Sequence, residues 1–142
     1  MDTLISNSPE ETQALGEKWG RAARPGQILG LSGDLGAGKT QFVKGIARGL
    51  GIARPIQSPT FALLNLYPEG RLPLAHLDLY RLETIQQIVS AGLEDYLSTD
   101  GLTVIEWAER WPELQNQQDY LAINIETIEP HQRRFVFHGP RD

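Results

Sequence analysis

A chain of 142 residues with 40% hydrophobic and 22% charged side chains is long enough for one domain with a buried core, and its composition is that of a globular protein. Its net charge of −5 argues against a broad electrostatic grip on nucleic acid and leaves only a local basic patch around Arg133, Arg134 and Arg141. No apolar run approaches the ~20 residues that span a bilayer, Met1–Asn7 lacks the basic start and apolar stretch of a secretory signal, and the absence of cysteine excludes disulfides and thiolate metal sites and fits a cytoplasmic location.

Along the chain, Ser8-Pro9-Glu10-Glu11 reads as a helix start, with Ser8 as N-cap, Pro9 at the first helical position and Glu11 closing a capping box. Leu15, Trp19 and Ala22 form its apolar face, and Arg24-Pro25-Gly26 ends it. Ile28–Ser32 is a short apolar run, as a buried strand should be. A glycine-rich segment follows, then Phe42, Val43, Ile46, Ala47 and Leu50 at helical spacing, with Gly49 and Gly51 as the stop. Residues 52–60 hold two prolines and read as loop. Residues 61–67 and 72–79 read as strands joined by the turn 68–71, a hairpin. Residues 83–97 read as helix or helix-turn, with Ile85, Ile88, Val89, Leu93 and Leu97 as the apolar set. Residues 98–101 are loop, 102–105 a buried strand, and 120–128 with 133–138 a second hairpin. No repeat, low-complexity stretch or linker interrupts the chain, so residues 1–142 read as a single domain. The pattern is α/β: a P-loop NTPase-like three-layer sandwich, its central mixed β-sheet flanked by helices. A ligand should sit outside the carboxyl ends of the strands.

The glycine-rich segment, Gly33-Asp34-Leu35-Gly36-Ala37-Gly38-Lys39-Thr40, matches the Walker A pattern G-x-x-x-x-G-K-[ST]. The glycines let the backbone turn its N–H groups toward phosphate oxygens. Lys39 supplies a mobile positive charge for the β- and γ-phosphates, Thr40 a hydroxyl for Mg²⁺, and the following helix its positive dipole end. Strand, glycine loop and helix come in the order this motif requires.

Such a site also needs a carboxylate to position Mg²⁺, usually at the end of a buried strand. Leu74-Ala75-His76-Leu77-Asp78 ends in Asp78, and Thr103-Val104-Ile105-Glu106 ends in Glu106; the residues alone do not rank them. Ser58-Pro59-Thr60 lies where a switch that senses the γ-phosphate can sit, and reads equally as an ordinary proline turn. His76 shares a face with Asp78 and reads as a structural histidine able to bond Asp78 or the switch loop; three histidines make a zinc site a poor fit. Trp19 reads as core. Trp107 and Trp111 read equally as core or as packing over a nucleotide.

Gly33–Thr40, Ser58-Pro59-Thr60-Phe61, His76-Leu77-Asp78-Leu79-Tyr80-Arg81-Leu82 and Val104-Ile105-Glu106-Trp107-Ala108-Glu109-Arg110 together resemble the TsaE (YjeE) family. These are small bacterial P-loop ATPases that act in making N6-threonylcarbamoyladenosine (t6A37) in tRNA. The likeness runs from Glu10 to the last strand, and the H-x-D-L-Y-R-L and I-E-W segments are its specific part. It implies that Gly33, Gly36, Ala37, Gly38, Lys39 and Thr40 hold the phosphates of ATP. It implies Thr40 and Glu106 as Mg²⁺ ligands, Asp78 as the acidic residue of a Walker B-like strand, and Thr60 as the switch hydroxyl; Lys39, Thr60, Asp78 and Glu106 carry the chemistry. Thr12, Glu109 and Arg134 fall near positions that line the nucleotide, with the choice between Arg133 and Arg134 resting on alignment across a variable turn. Ala108 departs from the proline common after I-E-W, which loosens that turn and removes no chemical group. The resemblance further implies an accessory ATPase that binds the TsaB–TsaD heterodimer, reaches tRNA through that complex, and needs no membrane.

A small-molecule or nucleotide kinase is the competing enzyme class. It would need an acceptor lid carrying arginines, and residues 80–101 hold only Arg81. A GTPase is disfavoured by the absence of N-K-x-D and of D-x-x-G after the second strand. No arginine stands out as a finger, so hydrolysis by the chain alone should be slow and completed by a partner.

Overall fold

A computed structural model of the chain describes residues 2–33, 38–57, 63–97 and 100–139. Its elements are β1 (Asp2–Ser6), α1 (Pro9–Ala22), β2 (Ile28–Ser32), α2 (Lys39–Gly49), β3 (Leu64–Tyr67), β4 (Leu74–Asp78), α3 (Ile85–Ser90), β5 (Leu102–Glu106), β6 (Tyr120–Glu129) and β7 (Gln132–His138), with 3-10 turns at Leu93–Tyr96, Ala108–Arg110 and Pro112–Asn116. The strands form one sheet in the order β1-β7-β6-β2-β5-β4-β3. The central four, β6, β2, β5 and β4, run parallel; β3 on one side and β7 on the other run antiparallel to them, and β1, antiparallel to β7, runs in the same direction as the central four.

The two faces of this sheet are set by strand alternation. Leu29 and Leu31 of β2 and Leu102 and Val104 of β5 point into the core beneath α2, with Phe42, Val43 and Ile46. Ile28 and Ile105 point the other way, into a second core with Ile88 of α3, Leu93, Leu97 and Trp111. Helices therefore cover both faces, and the mixed three-layer α/β architecture expected from the sequence is present.

Helix α1 begins as its sequence dictates. The Ser8 hydroxyl accepts the Glu11 N–H at 3.1 Å, while the Glu11 carboxylate reaches one residue further back than a capping box, to the Asn7 N–H at 3.0 Å. The last carbonyls of α1 are satisfied by Arg71 from the β3–β4 turn, which donates to the oxygens of Gly20, Arg21 and Ala23 at 2.8, 3.1 and 3.0 Å. Its packed face differs from expectation. The buried residues are Thr12, Gly16 and Gly20, whereas Ala22 is exposed and Ala23 buried. The reason is close approach to α2: a Cβ on Gly16, Gly20, Gly45 or Gly49 would fall within 2.2 Å of a backbone oxygen on the facing helix. Gly49, expected as a stop, is thus a packing residue of α2, and Gly51, at φ +80, makes the exit. Leu15 and Trp19 pack on the edge of the same core, Trp19 stacked on Phe137 at 5.2 Å.

Other boundaries shift for local reasons. β1 reads poorly because four of its five residues are exposed; only pairing with β7 makes it a strand. β3 and β4 form the expected hairpin but begin at Leu64 and Leu74, after Leu63 at φ +61 and after Pro73, which donates no ladder hydrogen bond. The stretch 83–97 divides into α3 and a 3-10 turn, and Ile85 and Val89 of its expected apolar set remain 40% and 51% exposed.

Candidate functional site

The glycine-rich loop leaves the end of β2 at Gly33 and enters α2 at Gly38. Both carry positive φ, 143° and 101°, where a side chain would strain the backbone. Lys39 is the first residue of α2 and only 5% exposed. Its Nζ donates to the Gly33 carbonyl across the loop and lies 4.0 Å from the centre of the Trp107 ring. The carbonyl and the ring face both help to compensate a charge buried this deeply. Thr40 follows in the first turn, half-buried. Gly36, Ala37 and Thr60, also expected at the site, lie outside the described residues, as does most of the proline turn that carries Thr60.

The parallel pairing of β4 with β5 puts Asp78 directly opposite Glu106 at the carboxyl ends of both strands. Both lie on the α2 face, by alternation from Leu74 and Val104, and are 4% and 3% exposed. The Asp78 Oδ1 accepts the Tyr80 N–H at 2.9 Å, and the Leu79 N–H donates to the Glu106 carbonyl at 3.1 Å, which locks the two strand ends together. The Glu106 Oε2 lies 2.5 Å from the Nε2 of His76. The structure therefore turns the histidine toward Glu106 rather than Asp78.

No group of three or more His, Cys, Asp or Glu that could hold a metal occurs among the described residues. A magnesium site does not need one: Mg²⁺ is commonly held by one or two carboxylates together with substrate phosphates and its own waters. Buried carboxylates at adjacent strand ends and a hydroxyl in the first turn of α2 are hard oxygen donors of the kind Mg²⁺ takes, so the donor chemistry fits.

Past Glu106 the chain turns sharply through Trp107, at φ 60° and ψ 39°. The Trp107 and Tyr80 rings meet at 5.1 Å, and Arg110 lies 5.4 and 5.6 Å from them. Arg110 also donates to the carbonyls of Tyr80 and Leu82 at 2.7 and 3.2 Å. These bonds, and the Trp111 N–H to the Ala108 carbonyl at 2.9 Å, brace the turn at Ala108 without a proline.

Beside Gly38 a cavity of about 240 Å³ is lined by Ser8, Thr12, Gln41, Pro130, His131 and Arg133. Thr12 is thus brought to the loop, its hydroxyl held by Ser6 Oγ at 2.8 Å. Of the two arginines it is Arg133 that reaches here, its guanidinium bonded to the carbonyls of Glu129, Pro130 and Gln132. Arg134 points to the opposite face of β7 and pairs with Glu126 at 3.3 Å. The signal was available: Phe135 and Phe137 are the core residues of β7, so Arg133 shares their face. Glu109 is not brought to this cavity. It lines a separate one of about 330 Å³ on the other face of the sheet, with Gly30, Ser32, Trp111 and Tyr120. Burial, with the Glu109 charge adding to it, pushes the Tyr120 phenol from 10.0 up to about 12.

The chain is similar to proteins of one family. The family model described as TsaE, threonylcarbamoyl adenosine biosynthesis protein TsaE, matches residues 6–135. The chain is 43% identical over 130 residues to the tRNA threonylcarbamoyladenosine biosynthesis protein TsaE of Bacillus subtilis (strain 168), covering 92% of this chain and 80% of that one. It is 50% identical over 116 residues to the protein of the same name from Nostoc sp. (strain PCC 7120), covering 79% and 71%. The crystal structure of Bacillus subtilis YdiB superimposes with a TM-score of 0.80 at 36% identity, covering 97% of this chain and 84% of that one.

Proposed function

The chain belongs to the TsaE family, whose members act in tRNA threonylcarbamoyladenosine biosynthesis, and from that premise we propose that it is a Mg²⁺-dependent ATPase serving the TsaB–TsaD heterodimer. One observation supports this reading: buried Lys39 donates to the Gly33 carbonyl across the glycine loop, and the buried carboxylates Asp78 and Glu106 are paired in register at the ends of β4 and β5.

A nucleotide phosphate entering the loop takes the place of the Gly33 carbonyl as the partner of Lys39. The start of α2 offers further N–H donors and its dipole. Thr40 and Glu106 would hold Mg²⁺, whose charge would offset that of the nucleotide phosphates. Asp78, whose Oδ1 accepts the Tyr80 N–H, would orient the attacking water. The cavity beside Gly38 takes the nucleoside, with Thr12 and Arg133 at its wall.

Arg110 and Arg133 both donate to backbone carbonyls. Neither is poised as a finger on the γ-phosphate, a group worth about 10³–10⁵ in rate where present. Hydrolysis by the chain alone is therefore slow, and the partner completes or regulates the site.

The test is size-exclusion of the protein with purified TsaB–TsaD in the presence of Mg²⁺ with ATP, with ADP, and with no nucleotide. Nucleotide-dependent co-elution, lost in Lys39→Ala, is expected. No association in any nucleotide state would overturn the partner assignment.

A further inference from the structure

His76 is fully buried in the middle of β4, yet it is not a packing residue satisfied on all sides. Among the described residues its ring makes one hydrogen bond, the 2.5 Å contact from Nε2 to the Glu106 carboxylate, and its buried Nδ1 has no partner. A carboxylate only accepts hydrogen bonds, so Nε2 is the donor and the ring carries its proton there. An imidazole in a strand interior with one nitrogen unsatisfied is less favourable than a leucine or phenylalanine of similar volume. What the ring supplies that an apolar side chain does not is a fixed position for Glu106.

We propose that His76 is a positioning residue for the cation site, and this rests on the reading of Glu106 as a Mg²⁺ ligand. Oε2 is engaged by the ring, while Oε1 takes no hydrogen bond among the described residues and is the oxygen left for the cation. Both partners sit on adjacent parallel strands, where neither backbone can shift independently, so the carboxylate is held before any metal arrives. Outer hydrogen bonds of this kind to a ligating group commonly change metal affinity 10–100-fold when removed.

The experiment compares wild type with His76→Leu, His76→Gln and Glu106→Gln. Each is titrated with Mn²⁺ in the presence of ADP and read by the electron paramagnetic resonance of free Mn²⁺, with ADP affinity in EDTA and thermal unfolding alongside. His76→Leu should bind Mn²⁺ 10–100-fold more weakly while its metal-free ADP affinity stays within about twofold of wild type. His76→Gln, whose amide nitrogen reaches as far as Nε2, should recover most of that loss. Unchanged Mn²⁺ affinity in His76→Leu, with Glu106→Gln impaired, would overturn the positioning role and leave the ligand assignment standing. Equal losses in His76→Leu and His76→Gln would also overturn it, since packing alone would then explain them. Unchanged affinity in Glu106→Gln would overturn both. If His76→Leu does not fold, His76→Asn, whose amide falls short of Glu106, takes its place against His76→Gln with the same expected contrast.

Discussion

Substituting Gly45 by alanine tests the contact that seats α2 against α1. An added Cβ would lie 2.0 Å from the Gln13 carbonyl oxygen and 2.8 Å from its carbon, against the 3.4 Å at which ordinary contact begins. Both atoms are backbone of α1, so no rotamer change relieves the clash, and the helices must separate. In an exposed helix the same change would stabilise by about 1 kcal/mol through helix propensity. Overpacking costs about 1–3 kcal/mol, and a backbone-to-backbone conflict belongs at the upper end. The clash wins, leaving a net loss of about 2 kcal/mol out of the 5–15 kcal/mol typical of a domain. Urea unfolding should show a midpoint about 1 M lower at unchanged slope, for a slope of about 1–3 kcal/mol per M. A Gly45→Ala protein as stable as wild type would refute the close packing of α1 on α2.

The two arginines of β7 separate cleanly. Arg133→Ala should weaken ADP binding about tenfold or more, as the loss of a charged hydrogen-bond donor does, while Arg134→Ala stays within about twofold; a fluorescent ADP titration distinguishes them, and the reverse order would move the nucleoside off the cavity beside Gly38. Tyr120 ionises near 10 in the unfolded chain and near 12 when folded, so its contribution to stability is full below pH 10 and is lost as the pH rises toward 12. By pH 11 this loss is about 1.4 kcal/mol and by pH 12 about 2.3 kcal/mol. The stability gap between wild type and Tyr120→Phe should shift by these amounts relative to pH 8 in urea unfolding; a pH-independent gap would contradict the buried neutral phenol.

What the sequence disclosed was local. Ile28–Ser32, the glycine loop and the periodic residues of α2 lie within one continuous stretch, so their order as strand, loop and helix was legible locally. The pairing of Asp78 with Glu106 and the bond from His76 to Glu106 depend on β4–β5 register across 30 residues, which no local pattern encodes. Hydrophobic periodicity chose Leu15, Trp19 and Ala22 for the packed face of α1, because it weights large side chains. The actual contact selects the smallest ones, and glycine is silent on a hydrophobicity scale. Arg133 and Arg134 were distinguishable by alternation from Phe135, whereas the cavity Glu109 lines was not legible, because the sharp turn at Trp107 carries the chain to the other side of the sheet.

The central claim is that Lys39 and Glu106 serve phosphate and Mg²⁺ in ATP hydrolysis. The most direct measurement is phosphate release from ATP with TsaB–TsaD present, with and without Mg²⁺, for wild type, Lys39→Ala and Glu106→Gln, each shown to be folded by circular dichroism. Mg²⁺-dependent release by wild type that both variants abolish is predicted. Release that survives either substitution would contradict the assignment.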